Sequence, residues 1–139
     1  MKKKFQLGVT NGCFDLLHKG HLYSLKQAKR NCNVLIVLLN SNKSTKILKG
    51  KGRPVEDQKI RKKKLLQTGY VDKVFIFNER TPIKKLKKIR PDVLFKGFEY
   101  KNKRISGRSF LKSYGGKIIL LKKIRNISTS KIIQKKKIK

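Results

Sequence analysis

Tryptophan is absent from this 139-residue chain, and cysteine (two), proline (three) and acidic residues (seven) are scarce. With only Cys13 and Cys32, a disulfide scaffold and a four-cysteine zinc module are excluded. No apolar run approaches the ~18 residues of a membrane span; the longest is the six-residue stretch 34–39. A signal peptide needs an apolar core of ~7–15 residues behind its basic start, and Met1-Lys2-Lys3-Lys4 leads into a mixed, strand-like stretch instead. These absences predict a cytoplasmic protein without membrane contact. The length fits one domain over 1–139, and 37% hydrophobic residues are enough for one modest core.

The scarcity of acid leaves 39 Lys and Arg against 7 Asp and Glu, a net charge of +32. Such a field draws anions in, and lysine releases counterions from nucleic acid. The lysines, however, are spread along the whole chain, alongside abundant isoleucine and asparagine, as AT-rich coding would produce. Arginine, the better phosphate fork, is sparse. A basic nucleic-acid-binding protein is therefore a distant alternative, and no specific nucleic-acid partner is expected.

Apolar patterning predicts strands over 5–10, 33–40, 74–77, 92–95 and 118–121. The run 33–40 is continuously apolar, as in a strand covered on both faces. Helices are predicted over 20–30, 54–68, 82–89, 109–114 and 128–138. Pro54, with Glu56 and Asp57 in the first turn, opens the second, and Gly69 stops it. Thr81-Pro82 reads as an N-cap followed by proline at the first helical position. The basic segment 41–53 reads as a loop. Strands alternating with helices imply an α/β fold: a Rossmann-like, doubly wound, parallel five-stranded sheet in one domain. Ligands of such sheets sit at the carboxyl ends of the strands, where strand order reverses.

The chemistry concentrates in the stretch from Thr10 to His21. It is neither a dinucleotide fingerprint nor a Walker A loop. The chain's two histidines, His18 and His21, both lie here, three residues apart around Gly20. A glycine at a helix start lets a phosphate approach the backbone, and two imidazoles can donate to phosphate oxygens whose charge grows in a transition state. Cys13, Asp15, His18 and His21 match no usual zinc spacing, so no protein-held metal is expected.

Gly12-Cys13-Phe14-Asp15, then His18-Lys19-Gly20-His21, resembles the G-C-F-D-x-x-H-x-G-H signature of the cytidylyltransferase-like nucleotidyltransferases. The fuller string is similar to the adenylyltransferase domain of ADP-heptose synthases. The likeness includes Leu39-Asn40-Ser41, Leu48-Lys49-Gly50, Gly52-Arg53-Pro54-Val55, Arg61, Val71-Asp72, Thr81-Pro82, Arg90-Pro91-Asp92-Val93-Leu94, Lys96-Gly97, Gly115-Gly116 and Ser128-Thr129. It spans roughly residues 5–134. Asn42, Phe98, Glu99 and Ser130 depart from the pattern, where aspartate, glycine, aspartate and threonine are usual.

The resemblance implies transfer of AMP from ATP to heptose 1-phosphate, giving ADP-heptose and pyrophosphate for the lipopolysaccharide core. Magnesium would accompany ATP, a separate sugar kinase would act upstream, and a homodimer would be in keeping with related enzymes. His18, His21 and Lys49 would be catalytic. Thr10, Gly12, Cys13 and Phe14 would shape the nucleotide pocket, with Cys13 small and buried. Lys96, Gly97 and Glu99 would face base and ribose. Ser128 and Thr129 would hold the outer phosphates, cap a helix, or both. Arg53 would clamp the triphosphate or the sugar phosphate, and Asp15 and Lys46 would serve the acceptor. The departures at Phe98 and Glu99 keep a second reading open: a cytidylyltransferase acting on glycerol 3-phosphate or a related alcohol phosphate.

Overall fold

The computed structural model describes residues 4–123. Strands β1 (Phe5–Gly12), β2 (Cys32–Asn40), β3 (Lys73–Phe77), β4 (Val93–Gly97) and β5 (Lys117–Leu121) form one sheet in the order β3-β2-β1-β4-β5. Every pairing is parallel. Helices α1 (Lys19–Asn31), α2 (Asn42–Lys49), α3 (Gln58–Gln67), α4 (Ile83–Ile89) and α5 (Arg108–Ser113) make the connections, with one 3-10 turn at Phe98–Tyr100. The fold is Rossmann-like and doubly wound, as the alternation of strands and helices predicts.

Strand β2 shows why its sequence is continuously apolar. Leu35, Val37 and Leu39 pack with Leu25 and Ala28 of α1 and Leu65 of α3. Ile36 and Leu38 pack on the opposite face with Leu86 of α4 and Leu111 of α5. Successive side chains alternate between two faces, and both faces are covered here, so no position is left for a polar residue. Full burial of each of these side chains contributes roughly 1.5–3 kcal/mol.

Two aspartates fix the register where strands begin. Asp92 accepts the Leu7 N–H at 2.9 Å, and its own N–H donates to the Leu7 carbonyl at 2.9 Å. Asp72 does the same for Leu35, at 2.8 and 2.9 Å, and also holds the Lys29 ammonium at 2.7 Å. Each carboxylate extends the backbone ladder by one step, which satisfies a strand-end donor.

Several elements differ from the sequence expectation. Segment 41–53 is not simply a loop, because α2 occupies its first part, capped by Ser41, whose Oγ accepts the Ser44 N–H at 3.0 Å. The inward side of α2 is polar: Ser44 Oγ accepts from Asn40 Nδ2 and donates to the Glu79 carbonyl, while Thr45 Oγ1 donates to the Asn40 carbonyl. Its Ile47 and Leu48 are exposed, so no apolar period marks the helix. Helix α3 starts at Gln58 rather than Pro54, because Asp57 is its cap and accepts the Lys59 N–H at 2.9 Å. At α4, Pro82 takes the cap position and no side chain caps it. The helix expected over 128–138 lies outside the described residues.

Candidate active site

Between β1 and β4 the strand order reverses, since the chain leaves β1 toward β2 on one side and β4 flanks β1 on the other. A cleft of about 670 Å³ opens at the carboxyl ends of these two strands. Thr10, Gly12, Cys13, Phe14, Asp15, His18, His21, Lys49, Arg53, Lys96, Gly97 and Glu99 all line it. Lys46 does not: it is exposed on α2, one turn before Lys49, and the cleft takes only the helix end. Ser128 and Thr129 lie outside the described residues.

The loop that follows β1 is strained and clasped. Phe14 and Leu16 carry φ values of 46° and 62°, a region that costs non-glycine residues of order 1–3 kcal/mol. Asp15 holds the loop in place. Its Oδ2 accepts from Val55 N–H at 2.7 Å and Arg53 Nε at 2.9 Å, and its Oδ1 accepts from Glu56 N–H at 3.0 Å. Burial would raise the Asp15 pKa, but these two backbone donors and the Arg53 guanidinium outweigh it and hold the carboxyl below its usual range. With a side chain only 1% exposed and both oxygens engaged, Asp15 braces the loop. Arg53 reaches the cleft with its Nε already engaged.

Arg61, which the sequence offered without a role, closes the clasp from below. It is fully buried, and its guanidinium donates to the carbonyls of Glu56, Cys13 and Asn40 and to Asn42 Oδ1, at 2.7–2.9 Å. One side chain thereby ties the β1 loop, the end of β2 and the start of α3 together. Asn42, the departure from aspartate, accepts from Arg61 and donates to Asp57. Glu56 adds an ion pair with Lys64 and accepts the Leu16 N–H.

The histidines are set by backbone bonds. His18 caps α1: its Nδ1 accepts the Gly20 N–H at 3.0 Å. The His18 N–H in turn donates to His21 Nδ1 at 3.2 Å. The hydrogen-bond network therefore assigns both rings the tautomer with a proton on Nε2. The rings stack with centroids 3.9 Å apart, and Phe14 tilts against His21 at 5.5 Å. Burial, then the neighbouring His18 and Lys49, push His21 down to about 4. His21 is thus a neutral donor at physiological pH, and the positive charge in the cleft comes from Lys49, Arg53 and Lys96.

On the β4 side, the Lys96 ammonium lies 3.3 Å from Asn11 Oδ1 and 4.1 Å from the Tyr100 ring centre. Burial lowers its pKa, and Glu99 partly restores it. The Glu99 carboxylate folds over Gly97, where a Cβ would collide with it. Thr10 donates to the Phe95 carbonyl at 3.2 Å and braces β1 against β4. Cys13 is half-buried on the cleft wall rather than hidden, while Cys32 is fully buried where α1 meets β2. Asn11 and Tyr100 were not marked in advance. One ends β1 and the other lies just past β4, within the same string as Lys96 and Gly97.

Among the described residues no three His, Cys, Asp or Glu side chains gather to hold a metal, and no helix is long and apolar enough to cross a membrane.

Comparison with known proteins adds to this geometry. The chain is 42% identical over 134 residues to the bifunctional protein HldE of Paramagnetospirillum magneticum, covering 96% of this chain and 28% of the relative. It is 44% identical over 128 residues to the bifunctional protein HldE of Caulobacter vibrioides, covering 92% and 26%. The chain thus spans about a quarter of the length of these relatives. Among solved structures, a lipopolysaccharide core biosynthesis protein from Thermoplasma volcanium superposes with a TM-score of 0.69 at 24% identity, over 86% of this chain and 97% of that one. A pantothenate synthetase from Thermus thermophilus superposes at 0.59 and 14%, over 94% and 65%. Both share the fold. The family model described as cytidylyltransferase-like matches residues 9–135, which include the carboxyl end of the central strand, both histidines and every described residue of the cleft from Thr10 onward. This chain belongs to the cytidylyltransferase-like family of nucleotidyltransferases.

Proposed function

We propose that the chain transfers AMP from ATP to a heptose 1-phosphate, releasing pyrophosphate and forming ADP-heptose for lipopolysaccharide core synthesis. The observation that carries this reading is the histidine pair: two stacked imidazoles with Nδ1 engaged by backbone N–H groups and Nε2–H left to donate, beside three cations. Identity of about 40% to proteins named HldE, over nearly all of this chain, supports the choice of acceptor.

In this mechanism the acceptor's phosphate oxygen attacks the α-phosphorus of ATP in line. The bond from α-phosphorus to the bridging β-oxygen breaks, and pyrophosphate leaves with that electron pair. A sugar phosphate is already ionised at neutral pH, so no strong base is needed, and rate comes from positioning and charge stabilisation. His18 and His21 donate from Nε2 to the α- and β-phosphate oxygens. Lys49 and Arg53 offset the charge gathering on the leaving group, and Lys96 and Glu99 face the nucleoside. Magnesium enters as part of the ATP complex, held by phosphates and water. The acceptor must already bear its phosphate, so a sugar kinase acts upstream.

The folded-back Glu99 carboxylate favours one alternative, cytidylyl transfer to glycerol 3-phosphate, since it stands where nucleoside contacts are expected. Pyrophosphate release with magnesium, ATP or CTP, and either acceptor separates the two. Release confined to ATP with heptose 1-phosphate is expected. Release confined to CTP with glycerol 3-phosphate would replace this reading with the alternative, and silence from folded protein would sink both.

A further inference from the structure

A second cavity, of about 720 Å³, lies outside the cleft, between the start of α4 and the segment 103–110 that leads into α5. Lys87, Lys103, Arg104 and Arg108 line it, and no carboxylate does. Among the described residues the ion pairs join Lys29 to Asp72, Arg53 to Asp15 and Lys64 to Glu56. All of these lie elsewhere, so the four cations of this cavity share one concavity without a counter-charge. Such an arrangement is repulsive until an anion enters. Thr81, Ser106 and Ser109 add hydroxyl donors.

The cavity is held in shape by packing. Ile105 is buried, 4% exposed, in the same core cluster as Leu86 of α4 and Leu111 of α5. Gly107 has φ +91°, and a Cβ there would come within 2.7 Å of Leu86 Cδ1. The backbone between Arg104 and Arg108 is therefore pressed against α4, and the two guanidinium groups leave a fixed base. Arginine is the side chain suited to bidentate phosphate contact, and two of the chain's few arginines stand here.

We propose that this cavity binds a compact, multiply charged phosphorylated anion, independently of the acceptor used in the cleft. Concavity favours this over a nucleic-acid strand, since the cations converge on one space instead of tracking along a groove. Along the chain, the 3-10 turn at Phe98–Tyr100 lies between Lys96 on the cleft wall and Lys103 on the cavity wall.

The test is calorimetric titration of the full chain at ~150 mM salt, where unpaired surface charges are screened within about 8 Å. Inorganic pyrophosphate and fructose 1,6-bisphosphate are the probes, one a product of the proposed reaction and the other foreign to it. A site is expected that Arg104→Gln/Arg108→Gln weakens at least tenfold for the tighter probe, while turnover stays within twofold. Arg104→Lys/Arg108→Lys, which keeps the charge, should lose less. Lys26→Gln/Lys63→Gln, on α1 and α3 across the sheet, makes the same charge change and should weaken binding less than twofold. Equal weakening by both glutamine pairs would overturn the proposal in favour of a general field. So would undiminished binding of both probes to the arginine variant, or capture of an oligonucleotide with neither probe bound.

Discussion

The two cavities are similar in size and both are basic, yet they are built on opposite electrostatic plans. In the cleft, several of the charged groups are already engaged. Arg53 is paired with Asp15, Lys96 leans on Asn11, His21 is kept neutral by burial, and beneath the wall Arg61 is saturated by carbonyls and Asn42. In the second cavity four cations stand with no carboxylate on the wall. A site that stabilises developing charge needs donors preset in direction, so the far side of each group is tied down. A site that only captures an anion needs charge and shape. In a chain of net charge +32, the number of cations marks neither; what each cation is bonded to separates them.

The comparison breaks most visibly at His21. Replacing it with alanine removes a preset donor without touching the core, and turnover should fall at least ~100-fold with the folded state retained. Near-normal turnover in steady-state assays would mean that the stacked pair is a helix cap and nothing more. Asp15→Asn should come next. Asparagine has one carbonyl oxygen where the carboxylate uses two, so at least one of the Val55, Glu56 and Arg53 donors loses its acceptor. Stability should drop by roughly 1–3 kcal/mol, and turnover by about tenfold as the loop loosens. A variant that loses acceptor affinity alone, with unchanged melting, would return Asp15 to the substrate.

Much of the fold was legible because the residues that specify it are apolar and local. Val34 to Leu39 reads as a strand covered on both faces, and the two histidines flanking Gly20 could be placed on a strand-to-helix turn. Helix α2 escaped because it docks through hydroxyls; Ser44 and Thr45 bond to Asn40 and Glu79, and nothing in their spacing announces a buried face. The clasp escaped for a different reason. Asp15 meets Val55 and Glu56 through backbone N–H groups some forty residues away, a contact no side-chain pattern encodes. From the sequence, Asp15 consequently reads as an acceptor-binding carboxylate, with no sign of its bracing contacts. The second cavity was invisible because its cations sit in a sequence where lysine is everywhere.

A pH titration sharpens the claim that His21 is neutral. In the folded chain it takes a proton only near pH 4, against an ordinary value of 6.5 when unfolded. Between those values the unfolded chain binds more protons, so stability falls as pH drops from 6.5 toward 4, by up to ~1.4 kcal/mol per pH unit, and the loss levels off below. Asp15 works in the same direction but further down, since its folded pKa lies below 3.8 and its contribution is lost only as pH falls through that lower value. Urea melts at pH 7, 6, 5 and 4.5 should therefore show a slope that His21→Gln flattens. An unchanged slope in that variant would mean that the imidazole takes its proton in the folded chain as it does in the unfolded one.

The smallest effect tests whether the cleft, rather than the surrounding charge, selects its cations. Lys46 and Lys49 stand three residues apart on α2, with the same charge and both exposed, but only Lys49 lines the cleft. Its ammonium is also one of the neighbours that keep His21 deprotonated. Lys49→Ala should lower turnover by about tenfold, the ~1.4 kcal/mol expected of one charge contact in the transition state. Lys46→Ala should stay within twofold, with any change confined to acceptor capture and erased by added salt, as for a remote charge that only steers. Equal losses from the two variants would mean that α2 acts through its summed field, and that the end of this helix is not a part of the catalytic wall.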